Sequence, residues 1–160
     1  MPILPIVTYP NKILETKTKK VADAKSPEIK ELIFNMLETL EANKGLGLAA
    51  NQVGKSLRLC VIKFEGKTYI LINPKFRVKS WKKVAFEEGC LSFPGLYLTV
   101  KRHAKVTVEA QDRKGNKILL KADGMLSRAL QHEIDHLDGI IFTSRKISAK
   151  GGSARGGKTI

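Results

Sequence analysis

The run Gln131-His132-Glu133-Ile134-Asp135-His136 constrains this chain most, because its chemistry works only on a helix. Positions i and i+4 stand one above the other on a helix face. His132 and His136 can then offer two imidazoles to one metal ion, with the Glu133 carboxylate beside them as a base. The lead-in 123–130 is helix-compatible and Gly139 stands where a stop is expected, so the spacing predicts a helix of about four turns. The bland alternative is a helix with two solvent-facing histidines. What the motif lacks is a third ligand.

The chain has two cysteines, in very different company. Cys60 lies inside Leu57-Arg58-Leu59-Cys60-Val61-Ile62, an apolar β-rich run where a cysteine acts as a small buried hydrophobe. Cys90 lies in Glu87-Glu88-Gly89-Cys90-Leu91-Ser92-Phe93-Pro94-Gly95, which reads as loop or bend. A thiolate and two imidazoles make a three-ligand site with an open position, the arrangement in which a metal activates water. A Cys60–Cys90 disulfide is the competing reading. With no apolar signal segment and a chain long enough for a core, nothing points to an oxidising compartment.

A third segment, Gly45-Leu46-Gly47-Leu48-Ala49-Ala50-Asn51-Gln52, follows a well-formed helical pattern. It follows a helix rather than a strand and has no Gly-Lys-Ser/Thr after it, so it fits neither nucleotide-binding fingerprint. Its small residues allow close backbone approach, and Gln52 offers an amide donor to a site. A tight turn with Gln52 on the surface is the alternative.

Taken together and in order, residues 45–52, Glu88-Gly89-Cys90-Leu91-Ser92 and His132-Glu133-Ile134-Asp135-His136 resemble the three signature motifs of the peptide deformylases. The resemblance extends to Tyr9-Pro10, Leu14, Asn73-Pro74, Phe93-Pro94-Gly95, Arg102 and the stretch 137–142, and covers roughly 3–147. It departs at Glu15, where the family often has arginine, and at Lys101, where proline is common. Neither position touches the metal motif.

The resemblance implies hydrolysis of the formyl group from the N-terminal formylmethionine of nascent polypeptides, releasing formate. It implies Cys90, His132 and His136 as metal ligands, Glu133 as general base, and the Gln52 amide and Leu91 backbone N–H as oxyanion donors. Substrate contacts are expected at Gly45, Leu46, Gly47, Glu88 and Gly89. Phe86, Met125 and Ala129 join Leu46 around the methionine side chain, with plain core packing as the other reading of each. Glu88 and Arg102 look like a supporting pair, and Asp135 a support for a histidine ligand. Donor chemistry alone favours zinc, whereas the resemblance implies iron(II), with zinc, nickel or cobalt also accepted. His103 reads as an exposed strand residue rather than a ligand.

The architecture reads as α+β: mostly antiparallel sheets packed around a central helix carrying the histidine motif, with an amphipathic helix near the N-terminus. Ser26-Pro27-Glu28 is a helix start, and Ile29, Leu32, Ile33, Met36, Leu37 and Leu40 repeat at helical spacing. Strands are expected at 57–64, 68–72, 82–86, 105–111 and 117–121, with a hairpin turn at 112–116. Residues 1–147 read as one catalytic domain and 148–160 as a short, flexible, basic, glycine-rich tail.

The balance of 29 Lys+Arg against 15 Asp+Glu gives a net charge of +14, a field that attracts anionic partners. Ribosomal RNA is the partner the resemblance suggests. The lysines are scattered, however, so a merely soluble surface is an equal reading, and no module for specific DNA is present. No run approaches the length of a membrane span, and a cytoplasmic location is expected. Two rivals remain. A zinc peptidase would need a third ligand downstream of His136, and none has suitable spacing. A basic RNA-binding module with a structural metal would need a fourth protein ligand, and neither Cys60 nor His103 has the setting for one.

Overall fold

A computed structural model describes residues 2–147 and 158–160. It is an α+β structure with two sheets and two α-helices. Helix α1 (Pro27–Ala42) starts where the sequence directs it: the Ser26 side chain caps it by accepting from the Ile29 N–H at 3.3 Å, and Pro27 opens the first turn. Its inner face buries Ile29, Leu32, Ile33, Met36 and Leu40. A fully buried side chain of this kind contributes about 1.5–3 kcal/mol, so this face anchors the helix.

The larger sheet runs in the order β1-β2-β3-β6-β7, every neighbouring pair antiparallel. Its strands are β1 (Gly47–Ala49), β2 (Leu59–Phe64), β3 (Lys67–Lys79), β6 (Lys105–Gln111) and β7 (Lys117–Asp123). Strand β2 is buried on both faces, and its alternation sorts the core into two. Leu59 and Val61 join the cluster of α1, whereas Cys60 and Ile62 join the cluster of helix α2 (Gly124–Leu137). Cys60 is thus a core residue with no disulfide, and burial pushes its thiol well up.

The smaller sheet, in the order β5-β4-β8, comprises β4 (Lys83–Cys90), β5 (Phe93–His103) and β8 (Lys158–Thr159). Helix α2 packs on the larger sheet through Leu126, Ala129, Leu130, Ile134 and Leu137, and its polar side chains reach β4 and β5. Every residue from Leu126 to Leu137 is buried. Solvent-facing histidines are excluded.

Several elements differ from the sequence expectations. Strand β3 continues well past residue 72 because Pro74 sits at a register shift between Ile72 and Lys75, where a missing N–H is tolerated. The segment 87–95, expected as loop, is the end of β4, a tight turn and the start of β5. Gly89 does not break the strand there; it makes room, since a Cβ would lie 2.8 Å from Tyr97 Cε1. His103 is half-buried rather than exposed, its N–H donating to Gln131 Oε1 at 2.9 Å. Most of the expected tail lies outside the described residues. Lys158–Ile160, however, are placed: they pair with β4, whose edge was open to a further strand.

Candidate metal centre

Cys90 ends β4, and His132 and His136 lie one turn apart on α2. The three meet. Cys90 Sγ lies 3.2 Å from His136 Nε2, which lies 3.2 Å from His132 Nε2, and all three ligand atoms fall within 4.8 Å of one another. Each residue is almost wholly buried. One thiol and two ring nitrogens converging on one point, without a fourth protein ligand in the group, fit a divalent metal with an open position.

Protonation agrees with that fit. His132 Nδ1 lies 2.9 Å from Glu88 Oε1, so the carboxylate holds a proton on Nδ1 and leaves the Nε2 lone pair facing the cluster. Burial pushes His136 well below the ordinary histidine range, keeping it neutral as a ligand must be. Burial pushes the Cys90 thiol up to about 12, so the cysteine needs a metal's charge to become a thiolate.

Glu88 is the hub of the support. It is fully buried on β4, and its Oε2 accepts from Arg102 Nε at 2.9 Å and Arg128 Nη1 at 2.6 Å. Arg102 Nη2 also donates to Oε1 at 3.0 Å. Burial raises the Glu88 carboxyl, but hydrogen bonds from His132 and Arg102 more than reverse this and hold it well below the usual range. The expected Glu88–Arg102 pair is therefore present. Asp135 does not reach a histidine ligand. It accepts from Arg102 Nη1 at 2.6 Å and from Arg145 at 3.1 Å, because residues adjacent on a helix point in different directions.

The base candidate differs from its neighbours. Glu133 is fully buried, and neither carboxylate oxygen has a hydrogen-bond partner among the described residues. Burial pushes its carboxyl well up, against the opposing charge of Arg102. Gly47 of β1 lies against it: a Cβ there would sit 2.6 Å from Glu133 Oε1. Gln52, in the short turn Ala50–Val53, is buried rather than on the surface. Its Oε1 accepts from the Ala49 N–H at 2.9 Å, while Nε2 lies 3.1 Å from Ser92 Oγ and 3.7 Å from Cys90 Sγ. Leu91 follows Cys90 in the turn between β4 and β5, and Gly45 lies against its side chain.

A model of the polypeptide deformylase family matches residues 3–151. The chain is 46% identical over 147 residues to peptide deformylase 1 of Bacillus cereus, covering 91% of this chain and 93% of that protein. The chain belongs to the polypeptide deformylase family. It is also 45% identical over 150 residues to a Syntrophobacter fumaroxidans peptide deformylase, covering 91% of this chain and 87% of that one. The crystal structure of the Thermotoga maritima peptide deformylase superposes with a TM-score of 0.90 at 30% identity, covering 92% of this chain and all of that one. That of a Synechococcus elongatus peptide deformylase in complex with actinonin gives 0.89 at 38%, covering 92% and 81%.

The residues expected around a methionine side chain do not form one pocket in this deformylase-family chain. Ala129 is fully buried in the α2 cluster with Leu46 packed against it. Phe86 and Met125 instead line a cleft of about 250 Å³ with Val84, His103, Gly124 and Arg128. Larger grooves, such as one of about 650 Å³ lined by Tyr69 and Asp112, are remote from the ligands. Sequence reasoning missed Arg128, Ser92 and Asn51, whose Nδ2 donates to the His136 carbonyl at 2.7 Å. Each carried a signal: Arg128 stands four residues before His132 on the same helix face, and Asn51 and Ser92 lie inside the segments 45–52 and 88–92.

Proposed function

We propose that the chain is a metal-dependent peptide deformylase, removing the formyl group from the N-terminal formylmethionine of nascent polypeptides, with residues 1–147 as its catalytic domain. One observation carries this reading within a chain of this family: Cys90 converges with His132 and His136 beside a buried, unpartnered Glu133 carboxylate. In this reading Cys90, His132 and His136 hold the metal, and a divalent ion there supplies the Lewis acidity that makes water a nucleophile near neutral pH. Glu133 takes a proton from the attacking water and returns it to the departing amine nitrogen, so amide and water become amine and formate. Its raised affinity for protons suits both halves of that transfer. Gln52 Nε2 and the Leu91 N–H donate to the oxygen on which charge develops. Leu46 and Ala129 face the methionine end, and the backbone of Gly45, Gly47 and Gly89, with Glu88, contacts the peptide.

Iron(II) is the resident metal in this reading, with zinc, nickel or cobalt as possible occupants, and the buried Cys90 thiolate is a second point of sensitivity to oxygen. The enzyme would work in the cytoplasm, where the net charge of +14 supports contact with ribosomal RNA. The test is formate release from a formyl-methionyl peptide by protein prepared without oxygen and loaded with iron(II) or nickel, beside a Glu133→Ala control. Turnover that disappears in the control, with metal content unchanged, supports the reaction and the base. No turnover by folded, metal-loaded protein overturns the assignment.

A further inference from the structure

The segment Lys158–Ile160 lies beside the candidate metal centre. Lys158 and Thr159 pair in parallel with Glu88 and Gly89 at the end of β4, immediately before the ligand Cys90. The Ile160 N–H donates to the Gly89 carbonyl at 3.0 Å. On the other side, the Leu46 N–H donates to the Thr159 carbonyl at 3.4 Å. The segment therefore bridges two of the three motifs, donating a main-chain hydrogen bond to one and accepting one from the other, as an added strand does. Gly89 permits the approach: a Cβ there would lie 3.1 Å from Thr159 Oγ1. Thr159 Oγ1 also lies 3.3 Å from the Tyr97 hydroxyl.

The side chain of Ile160 completes the picture. It is fully buried in the cluster that contains Ala129 and against which Leu46 packs. These are the two residues assigned above to the methionine end of the substrate. An apolar side chain on an extended backbone is what that end of a formyl-methionyl peptide presents.

We propose that Lys158–Ile160 is a self-peptide that occupies the substrate groove and must leave before a formylated chain can enter. This rests on the reading of that groove as the substrate site. The sequence places ten residues, 148–157, between Ile147 and this segment. As part of the same chain the segment meets the groove intramolecularly, at an effective concentration on the order of millimolar, so even a weakly binding tripeptide competes. Such a competitor raises KM and leaves kcat alone, because saturating substrate displaces it.

The experiment compares three metal-loaded proteins on formyl-methionyl-alanine: the full chain, Ile160→Gly, and a chain ending at residue 157. Both variants are expected to lower KM by about tenfold with kcat within about twofold of the full chain. Because a buried isoleucine can also matter for stability, the second readout uses the unmodified chain. Hydrogen exchange at the Ile160 amide is followed with and without saturating formyl-methionyl-alanine, and protection is expected to disappear when the peptide is present. Turnover with an unchanged KM in both variants, or with Ile160 protected at saturation, overturns the proposal while leaving the deformylase reading intact. Absence of turnover in all three folded proteins overturns that reading, and the competition with it.

Discussion

Glu88 Oε1 lies 2.9 Å from His132 Nδ1, and this contact fixes which ring nitrogen faces the candidate metal centre. The same carboxylate is shared with Arg102 and Arg128, so one buried side chain orients a candidate ligand and pairs with two guanidinium groups. Glu88→Gln keeps the shape but turns an amide NH2 toward donors. The expected result is metal affinity lower by about 10–100-fold, read by competition with a chelator. Leaving buried arginines short of a counter-charge costs about 3–5 kcal/mol, read as a lower denaturant midpoint. A variant that holds metal and denaturant midpoint like the parent refutes this role.

Acid should act through the same carboxylate. Its carboxyl is depressed in the folded state relative to the ordinary value of 4.5. The unfolded chain therefore takes up the proton first as pH falls. The stability Glu88 contributes is fully present above 4.5 and is lost as pH falls below it toward the depressed folded value. Unfolding midpoints measured between neutral pH and pH 3 should fall less steeply in Glu88→Gln than in the parent, and parallel curves would contradict the linkage.

Gly47 and Glu133 touch across the gap between β1 and α2. A methyl group at Gly47 would sit 2.6 Å from Oε1 and 2.9 Å from the carboxyl carbon, so the carboxylate must move in Gly47→Ala. Displacing a base by about 1 Å can cost on the order of 100-fold in rate. We expect kcat reduced by about that factor with metal content retained, since Glu133 is not among the converging ligands. Undiminished kcat would show that Glu133 works from elsewhere.

The meeting of His132 and His136 was legible because side chains at i and i+4 need only a helix, and α1 because Ser26, Pro27 and the apolar repeat agree. Cys90 stood out by contrast with Cys60. The strands around it were legible only in part: 82–86 was expected, but the end of β4 and the whole of β5 were not. Gly89 and Pro94 read as breakers, yet Gly89 is glycine because Tyr97 and Thr159 crowd it from neighbouring strands. That contact exists only after β4, β5 and β8 have paired. Likewise Asp135 sits beside a ligand in sequence but points to Arg102 and Arg145, and the carboxylate that holds His132 comes from residue 88, remote in sequence. Long-range pairing decided what local pattern could not.

Gly139 ends the metal helix in the left-handed region, at φ +74°. A Cβ there would lie 2.8 Å from the Thr16 carbonyl carbon and 2.9 Å from that of Glu15, and backbone atoms cannot swing aside. Gly139→Ala combines left-handed strain with overpacking, together about 3 kcal/mol. Urea unfolding should register that loss as a lower midpoint. A change within 0.5 kcal/mol, the size of an ordinary surface substitution, would mean that the contact relaxes freely.

Gln52 offers the sharpest separation of structure from catalysis. Its Oε1 accepts from the Ala49 N–H, holding the turn, while Nε2 lies 3.7 Å from Cys90 Sγ. Gln52→Glu retains the acceptor and removes the donor, whereas Gln52→Ala removes both. If Nε2 stabilises the developing oxyanion, kcat falls by about 10²–10³ in each variant. The denaturant midpoint should fall further in Gln52→Ala, where the buried Ala49 N–H loses its partner at a cost of about 1–3 kcal/mol. A Gln52→Glu protein that turns over within threefold of the parent would remove Gln52 from the reaction and leave it as a brace for the turn.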